Sequence, residues 1–247
     1  MIAYADAALL ALAAAVAGAL NAMAGGGSFL TLPALIAVGV PPVAANATGT
    51  LALLPGYLSA SWGSRRDLAP TTALPVSAML ALALSGGIGG ALLLILTPDR
   101  LFASAAPWLV LAATLLFAAQ PLLHRARPQP AQLATVAIPL FAVCLYGGYF
   151  NGGLGILLLA TLVQAGIRDL NAANALKNRL SAVLTAVAVC VYATAGTIHW
   201  QAALWMMLFA TLGGYLGARG ARRLPAAMLR FGIVIIGLAM AAVLALR

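Results

Sequence analysis

"NAMAGGGSFLTLP", residues 21–33, sets three glycines and a serine into a chain that otherwise runs through long stretches of alanine, leucine and valine. Glycine in a helix interior costs about 0.5–1 kcal/mol relative to alanine, so three in succession end or break a helix. The apolar segment that follows, about 28–39, covers only about half to two-thirds of a hydrocarbon core at 1.5 Å per residue. The pattern recurs at "FNGGLGILLLATL", residues 150–162, where a glycine cluster precedes a second short apolar segment at about 155–166. A short helix after a glycine break, found twice, decides how the rest of the chain is read.

Of 247 residues, 64% are hydrophobic and 7% charged, and the mean hydropathy is +1.06. No soluble domain hides that much apolar surface, so the solvent is lipid and the class is an all-α polytopic membrane protein. The net charge is +9, with twelve Arg, one Lys, four Asp and no Glu. Because these cations lie between apolar segments of spanning length, they read as topology signals facing anionic headgroups, and no nucleic-acid partner is expected. Cys144 and Cys190 lie in apolar runs without C-x-x-C spacing and read as two small core residues. A secretory signal needs a basic leading region; residues 1–24 offer only Asp6 and read as a retained first helix.

Spanning-length segments lie at about 5–23, 43–63, 72–96, 101–123, 131–150, 171–196, 200–218 and 228–246. Sliding the chain by 128 residues puts Gly25 and Gly27 on Gly153 and Gly155, "AANA" at 44–47 on "AANA" at 172–175, and Gly86 and Gly89 on Gly214 and Gly217. Arg65 and Arg66 follow the third apolar segment of the first half, counting the short one, whereas the matching turn "AGTIHW" at 195–200 has no Lys or Arg. The "TPDR" turn at 97–100 carries no net charge, while its counterpart at 219–230 carries Arg219, Arg222, Arg223 and Arg230. By the positive-inside rule, equivalent loops face opposite sides, which is the signature of inverted repeats with an odd number of crossings each. The expectation is one transmembrane domain over 1–247: repeat one at 1–123, a cytoplasmic linker "HRARPQP" at 124–130, and repeat two at 131–247. Each repeat has four long helices and one short one. Loops 64–67, 124–130 and 219–230 come out cytoplasmic and both termini on the opposite side. The runner-up, eight helices with re-entrant short segments, puts the 219–230 cluster and the Arg65–Arg66 pair on opposite sides.

Gly86 with Gly90 and Gly213 with Gly217 are small-xxx-small pairs that let helices approach closely. The breaks differ, because unwound backbone in a membrane must line a cavity or be buried in protein. A short helix starting there points its positive end at the cavity, which suits an anion. The candidate substrate-binding set is therefore Gly25, Gly26, Gly27 and Ser28 at the first break and Asn151, Gly152, Gly153 and Gly155 at the second. Neither cluster ends in Gly-Lys-Ser/Thr or follows a strand, so a phosphate loop is a poor reading.

In "RDLNAANALKNRLSAVLTAV", residues 168–187, Asn171, Asn174, Asn178, Ser181 and Thr185 are spaced 3, 4, 3 and 4 and form one polar stripe on a helix face. Asn46, Thr50, Tyr57 and Ser61 form a thinner stripe in the first half, and two such stripes are expected to meet near the midplane as a water-lined path. Asn46, Thr50, Asn174, Lys177 and Asn178 join the candidate set, with Lys177 supplying the charge. The plainer readings are that Lys177 and Arg179 snorkel to headgroups, and that Asn46 and Asn174 hold helices together at about 0.6 kcal/mol per contact. "NAT" at 46–48 fits the glycosylation pattern, but its membrane depth argues against use. Asp6, Asp67, Asp99 and Asp169 fall at segment ends, and His124 and His199 in turns. With no acid or His at mid-membrane, there are no catalytic, cofactor or metal groups to expect, and a proton would have to travel on a weakly acidic substrate.

The Gly-rich break with its short helix and Pro33, the "PPVAANAT" run at 41–48, the second copy at 152–179 with "ANALKN", and the closing "GGYLGAR" together resemble the TauE/SafE family of sulfite exporters. The resemblance covers nearly the whole chain. It implies an inner-membrane carrier exporting sulfite or related small anions, organosulfonates included, and leaves room for a homodimer. It places the family's Gly-rich breaks on Gly25, Gly26, Gly27, Gly153 and Gly155 and the starts of its repeated post-break helices around Asn46 and Asn174. The second break has Leu154 where a full triple glycine would continue, and Thr161 stands opposite Pro33. Two other readings stand beside the anion carrier: transport of a neutral sulfur compound or a metal-linked solute, and a non-transporting membrane subunit that assembles a complex.

Overall fold

The computed structural model describes residues 4–24, 27–67, 74–123, 133–167, 169–220 and 226–246, and no strand occurs among them. The helices are α1 (Tyr4–Ala24), α2 (Ser28–Ala37), α3 (Pro42–Gly63), α4 (Val76–Leu96), α5 (Asp99–Leu123), α6 (Leu133–Tyr149), α7 (Leu154–Gln164), α8 (Leu170–Thr194), α9 (Trp200–Gly220) and α10 (Ala226–Ala245), with a 3-10 turn at Arg65–Asp67 after α3. Every apolar segment read from the sequence is a helix, and the two that follow the glycine breaks, α2 and α7, are the short ones. The stretches Tyr4–Ala22, Val76–Leu96 and Asn171–Thr194 are long and apolar enough to cross a membrane on length and composition.

The boundaries differ from expectation where local chemistry dictates. α4 starts at Val76 rather than near 72, because Pro75 is extended at its N-cap (φ −64°, ψ 146°). Arg219 lies in α9 and Arg230 in α10, so the expected loop 219–230 is partly helical, and Arg222, Arg223 and the linker 124–130 lie outside the described residues. Two of the four aspartates satisfy helix N-termini, whose first N–H groups have no partner inside the helix. Asp169 accepts from the N–H groups of Asn171 and Ala172 at 3.1 and 3.3 Å, and Asp99 reaches across from α5 to accept from Val43 N–H at 2.9 Å.

Glycines set the closest approaches. α1 and α9 run parallel, with Gly18 against the backbone of Ala210 and Gly213 against that of Ala15, and Trp205 Nε1 donates to the Ala7 carbonyl at 2.9 Å. α4 and α6 likewise run parallel: Gly86 faces Cys144, Gly87 faces Gly148, and Gly90 faces Leu145 and Tyr149. α3 and α8 are antiparallel. Asn178 Nδ2 donates to Ser64 Oγ at 3.2 Å at one end, and His199 N–H donates to Thr48 Oγ1 at 3.0 Å at the other. Exchanging the first five helices for the last five turns the α1–α9 contact into the α6–α4 contact and α3–α9 into α8–α4, and leaves α3–α8 and α5–α10 unchanged.

Large apolar side chains such as Leu93, Ile138, Leu208, Leu216 and Phe231 stand exposed around the bundle, more than a soluble surface carries. Cys144 is buried as expected, but Cys190 is exposed, on an outward face of α8 rather than in the core. Thr48 and Asn46 are buried, so the "NAT" motif is inaccessible.

Candidate anion-binding cavity

The second break shows how a membrane protein tolerates unwound backbone. Asn151 has φ 61° and Gly153 φ 72°, both left-handed, a region that glycine enters freely and asparagine more readily than most residues. A Cβ at Gly153 would also lie 3.0 Å from that of Ala113. The polar groups freed around the turn are met by side chains. Tyr146 OH donates to the Gly152 carbonyl at 2.7 Å, Tyr57 OH to Asn151 Oδ1 at 3.2 Å, and Asn46 Nδ2 to the Tyr149 carbonyl at 3.0 Å. Tyr192 OH donates to the Gly148 carbonyl. This is backbone buried in protein, one of the two arrangements that lipid permits.

At the first break Gly25 and Gly26 lie outside the described residues. Gly27 is the N-cap of α2 with ordinary helical angles (φ −60°, ψ −33°), so its need for glycine is steric. A Cβ there would sit 2.7 Å from the Ala17 carbonyl oxygen and 3.0 Å from Leu53 Cδ1. The first turn of α2 reaches the start of α7: Phe29 Cζ lies 3.4 Å from where a Gly153 Cβ would be. Both short helices thus begin close together, and their positive ends share one region.

Beside that region lies a cavity of about 420 Å³, bounded by the C-terminal parts of α1, α3 and α9, the first turns of α8 and the first turn of α7. Its polar lining includes Asn21, Tyr57, Asn174, Lys177 and Asn178; most of the remaining wall is glycine and alanine, including Gly18, Gly56, Gly155 and Gly214. The volume falls in the range of small-molecule sites. Lys177 is half-buried, and among the described residues it makes no hydrogen bond or ion pair. None of the four aspartates lines the cavity. A cation withdrawn from water without a counter-ion is costly unless something negative joins it. Asn178 ties the cavity to Ser64, and the next two residues, Arg65 and Arg66, are exposed; the Arg65 guanidinium stacks over Trp62, 4.5 Å from its ring centre. No group of three or more metal-ligating side chains occurs among the described residues.

Of the residues singled out in the sequence, Gly155, Asn174, Lys177 and Asn178 line the cavity. Gly27 packs just behind it against Asn21 and Leu53, and Asn151 meets it through Tyr57. Gly152 and Gly153 shape the turn, and Ser28 is buried at the start of α2 with its hydroxyl unpaired. Asn46 and Thr50 do not line it. Both are buried one or two turns into α3, toward its other end, where Thr50 Oγ1 donates to the Asn46 carbonyl at 2.8 Å. The two polar stripes are therefore brought together only in part: α8 contributes Asn174 and Asn178 to the cavity, and α3 contributes Tyr57, with Ser59 rather than Ser61. Arg179 is exposed on another face of α8. Asn21 also lines the cavity; it is the last polar residue before the break and shares a helix face with Gly18, the one signal of it in the sequence.

The family model described as sulfite exporter TauE/SafE matches residues 10–244. Probable membrane transporter protein ORF9 of Sinorhizobium sp is 30% identical over 243 residues, covering 95% of this chain and 90% of that protein. A probable membrane transporter protein of Haemophilus influenzae is 29% identical over 232 residues, with 92% and 89% covered. Probable membrane transporter protein YfcA of Escherichia coli K12 is 27% identical, with 93% and 86% covered. No solved structure matches the chain. The family match runs from α1 to α10 and takes in both glycine breaks, and the apolar helices agree with it: the chain belongs to the sulfite exporter TauE/SafE family and is a multi-pass membrane transporter.

Proposed function

We propose that this transporter exports a small sulfur oxyanion, sulfite or an organosulfonate, across the inner membrane by alternating access around the Lys177 cavity. The observation that carries the reading is the unpaired Lys177 ammonium in a cavity whose other polar groups are neutral amides and hydroxyls. Neutral donors orient an oxyanion while the single cation compensates its charge. The start of α7 at Gly155 adds the positive end of a helix dipole.

Two inverted repeats supply the moving parts. The antiparallel α3 and α8, and packing that survives exchange of the two halves, support that arrangement. The cavity lies at the end of α3 that carries Arg65 and Arg66, which the positive-inside rule makes cytoplasmic, so an anion would enter from the cell interior. In proteoliposomes, purified protein loaded with unlabelled sulfite is expected to accumulate external radiolabelled sulfite by counterflow, and 2-hydroxyethanesulfonate to compete. Uptake no faster than in protein-free liposomes would remove the sulfur-oxyanion reading.

A further inference from the structure

Among the described residues, six buried side-chain atoms have no hydrogen-bond partner: Asn21 Oδ1, Ser28 Oγ, Thr31 Oγ1, Asn151 Nδ2, Ser181 Oγ and Thr185 Oγ1. The last two are informative because a Ser or Thr hydroxyl within a helix ordinarily bonds the carbonyl four residues back. Thr50, Thr114 and Thr161 do so here at 2.7–2.8 Å, whereas Ser181 and Thr185, both fully buried on α8, make no such bond. They continue the face that bears Asn174 and Asn178, one and two turns beyond the cavity. Buried hydroxyls left unpaired are costly to keep, and the cost is removed if another conformation gives them water or a ligand.

The 128-residue repeat says where that conformation opens. It carries Leu53 and Tyr57, two residues of the cavity wall, onto Ser181 and Thr185, and it carries Asn174 and Asn178 onto Asn46 and Thr50. All four images are buried, between 0 and 3% exposed. Asn21 is carried onto Tyr149, whose carbonyl receives the Asn46 amide, and the adjacent Gly148 carbonyl receives Tyr192 OH. Both bonds hold the end of α6 against α3 and α8, where the first half has an open cavity.

We propose that the molecule contains a second vestibule for the same anion, collapsed in this conformation, lined by Ser181, Thr185, Asn46 and Thr50 and latched shut by the Asn46–Tyr149 and Tyr192–Gly148 hydrogen bonds. The proposal rests on the alternating-access reading above. Lys177 falls on Gly49 under the repeat, so the second vestibule has no cation of its own. The anion passes along one face of α8, from Lys177 to the Ser181 and Thr185 hydroxyls, and leaves where it is held less tightly.

The test is side-specific labelling without any transported anion, so it is independent of which anion is carried. In a background of Cys144→Ala and Cys190→Ala, Ser59→Cys and Thr185→Cys are each exposed to a membrane-impermeant maleimide in right-side-out and inside-out vesicles. Ser59→Cys is expected to react from one side and Thr185→Cys, slowly, from the other. Adding Tyr192→Phe is expected to speed Thr185→Cys labelling roughly two- to tenfold, the factor that loss of one hydrogen bond permits. Ser181→Cys serves as the second probe should Thr185→Cys fail to fold, and full reaction after denaturation confirms that each thiol is present. Probes that stay unreactive from both sides with and without Tyr192→Phe, or that react from the same side as Ser59→Cys, overturn the proposal. Absence of sulfite counterflow together with opposite-side labelling would remove the substrate reading and leave the second vestibule standing.

Discussion

Replacing Lys177 by alanine is expected to lower sulfite counterflow by more than tenfold while leaving the protein folded. A hydrogen bond to a charged group contributes about 1.5–3 kcal/mol, and losing it corresponds to roughly 10–150-fold weaker binding. Among the described residues nothing can take its place, since no other cation lines the cavity. The free protein gains rather than loses, because a half-buried ammonium without a partner carries a desolvation cost that alanine removes. Thermal stability without ligand is therefore expected to stay level or rise, and this separates a binding defect from a folding defect. Lys177→Arg is not expected to restore full activity: the guanidinium keeps the charge but is planar and presents its donors in a fixed fork rather than as a compact point charge. Asn174→Ala, which removes a neutral donor, is expected to cost only about 0.5–1.5 kcal/mol. Normal counterflow in both Lys177→Ala and Asn174→Ala would show that the site lies elsewhere.

Gly90→Leu is expected to be among the most damaging single substitutions in the scaffold. A Cβ at Gly90 would collide with the Leu145 carbonyl and come within 2.6 Å of the Tyr149 amide nitrogen. These are backbone atoms, so no rotamer change relieves the clash; α4 and α6 must move apart. Helices in lipid associate through close packing rather than a hydrophobic drive, so separation forfeits the interaction itself. Overpacking of this kind costs about 1–3 kcal/mol and sometimes more, which for a chain of this size lowers the melting temperature by roughly 2–12 °C. Gly232→Leu is the control. A Cβ there meets nothing within 4 Å, and its melting temperature is expected to match the parent protein. Equal melting temperatures for the two variants would contradict the tight α4–α6 packing.

The helical scaffold was legible because its punctuation is chemical. Glycines and prolines punctuate the turns between apolar runs, and each run is a helix with ends displaced by only a few residues. The lysine that lines the cavity was legible because it sits beside an asparagine stripe at helical spacing. Asn46 and Thr50 lie away from the cavity for a definite reason. Repeat register makes these residues equivalent to Asn174 and Asn178, but α3 and α8 run antiparallel, which places them toward opposite ends of the two helices. At the end of α3 that bears Asn46 and Thr50, α6 packs closely at Gly148 and Tyr149, an interhelical contact that no local pattern encodes. Cys190 was misplaced for a related reason. In lipid an apolar run is apolar on every face, so periodicity does not tell core from periphery.

The most direct test of the central claim is an experimental density map of the protein determined with a saturating organosulfonate. The account predicts density for the anion's head within hydrogen-bonding distance of Lys177 Nζ, flanked by the Asn174 and Asn178 amides and facing Gly155 at the start of α7. Density seated away from Lys177, or a cavity holding only water at a ligand concentration that saturates counterflow, would contradict it.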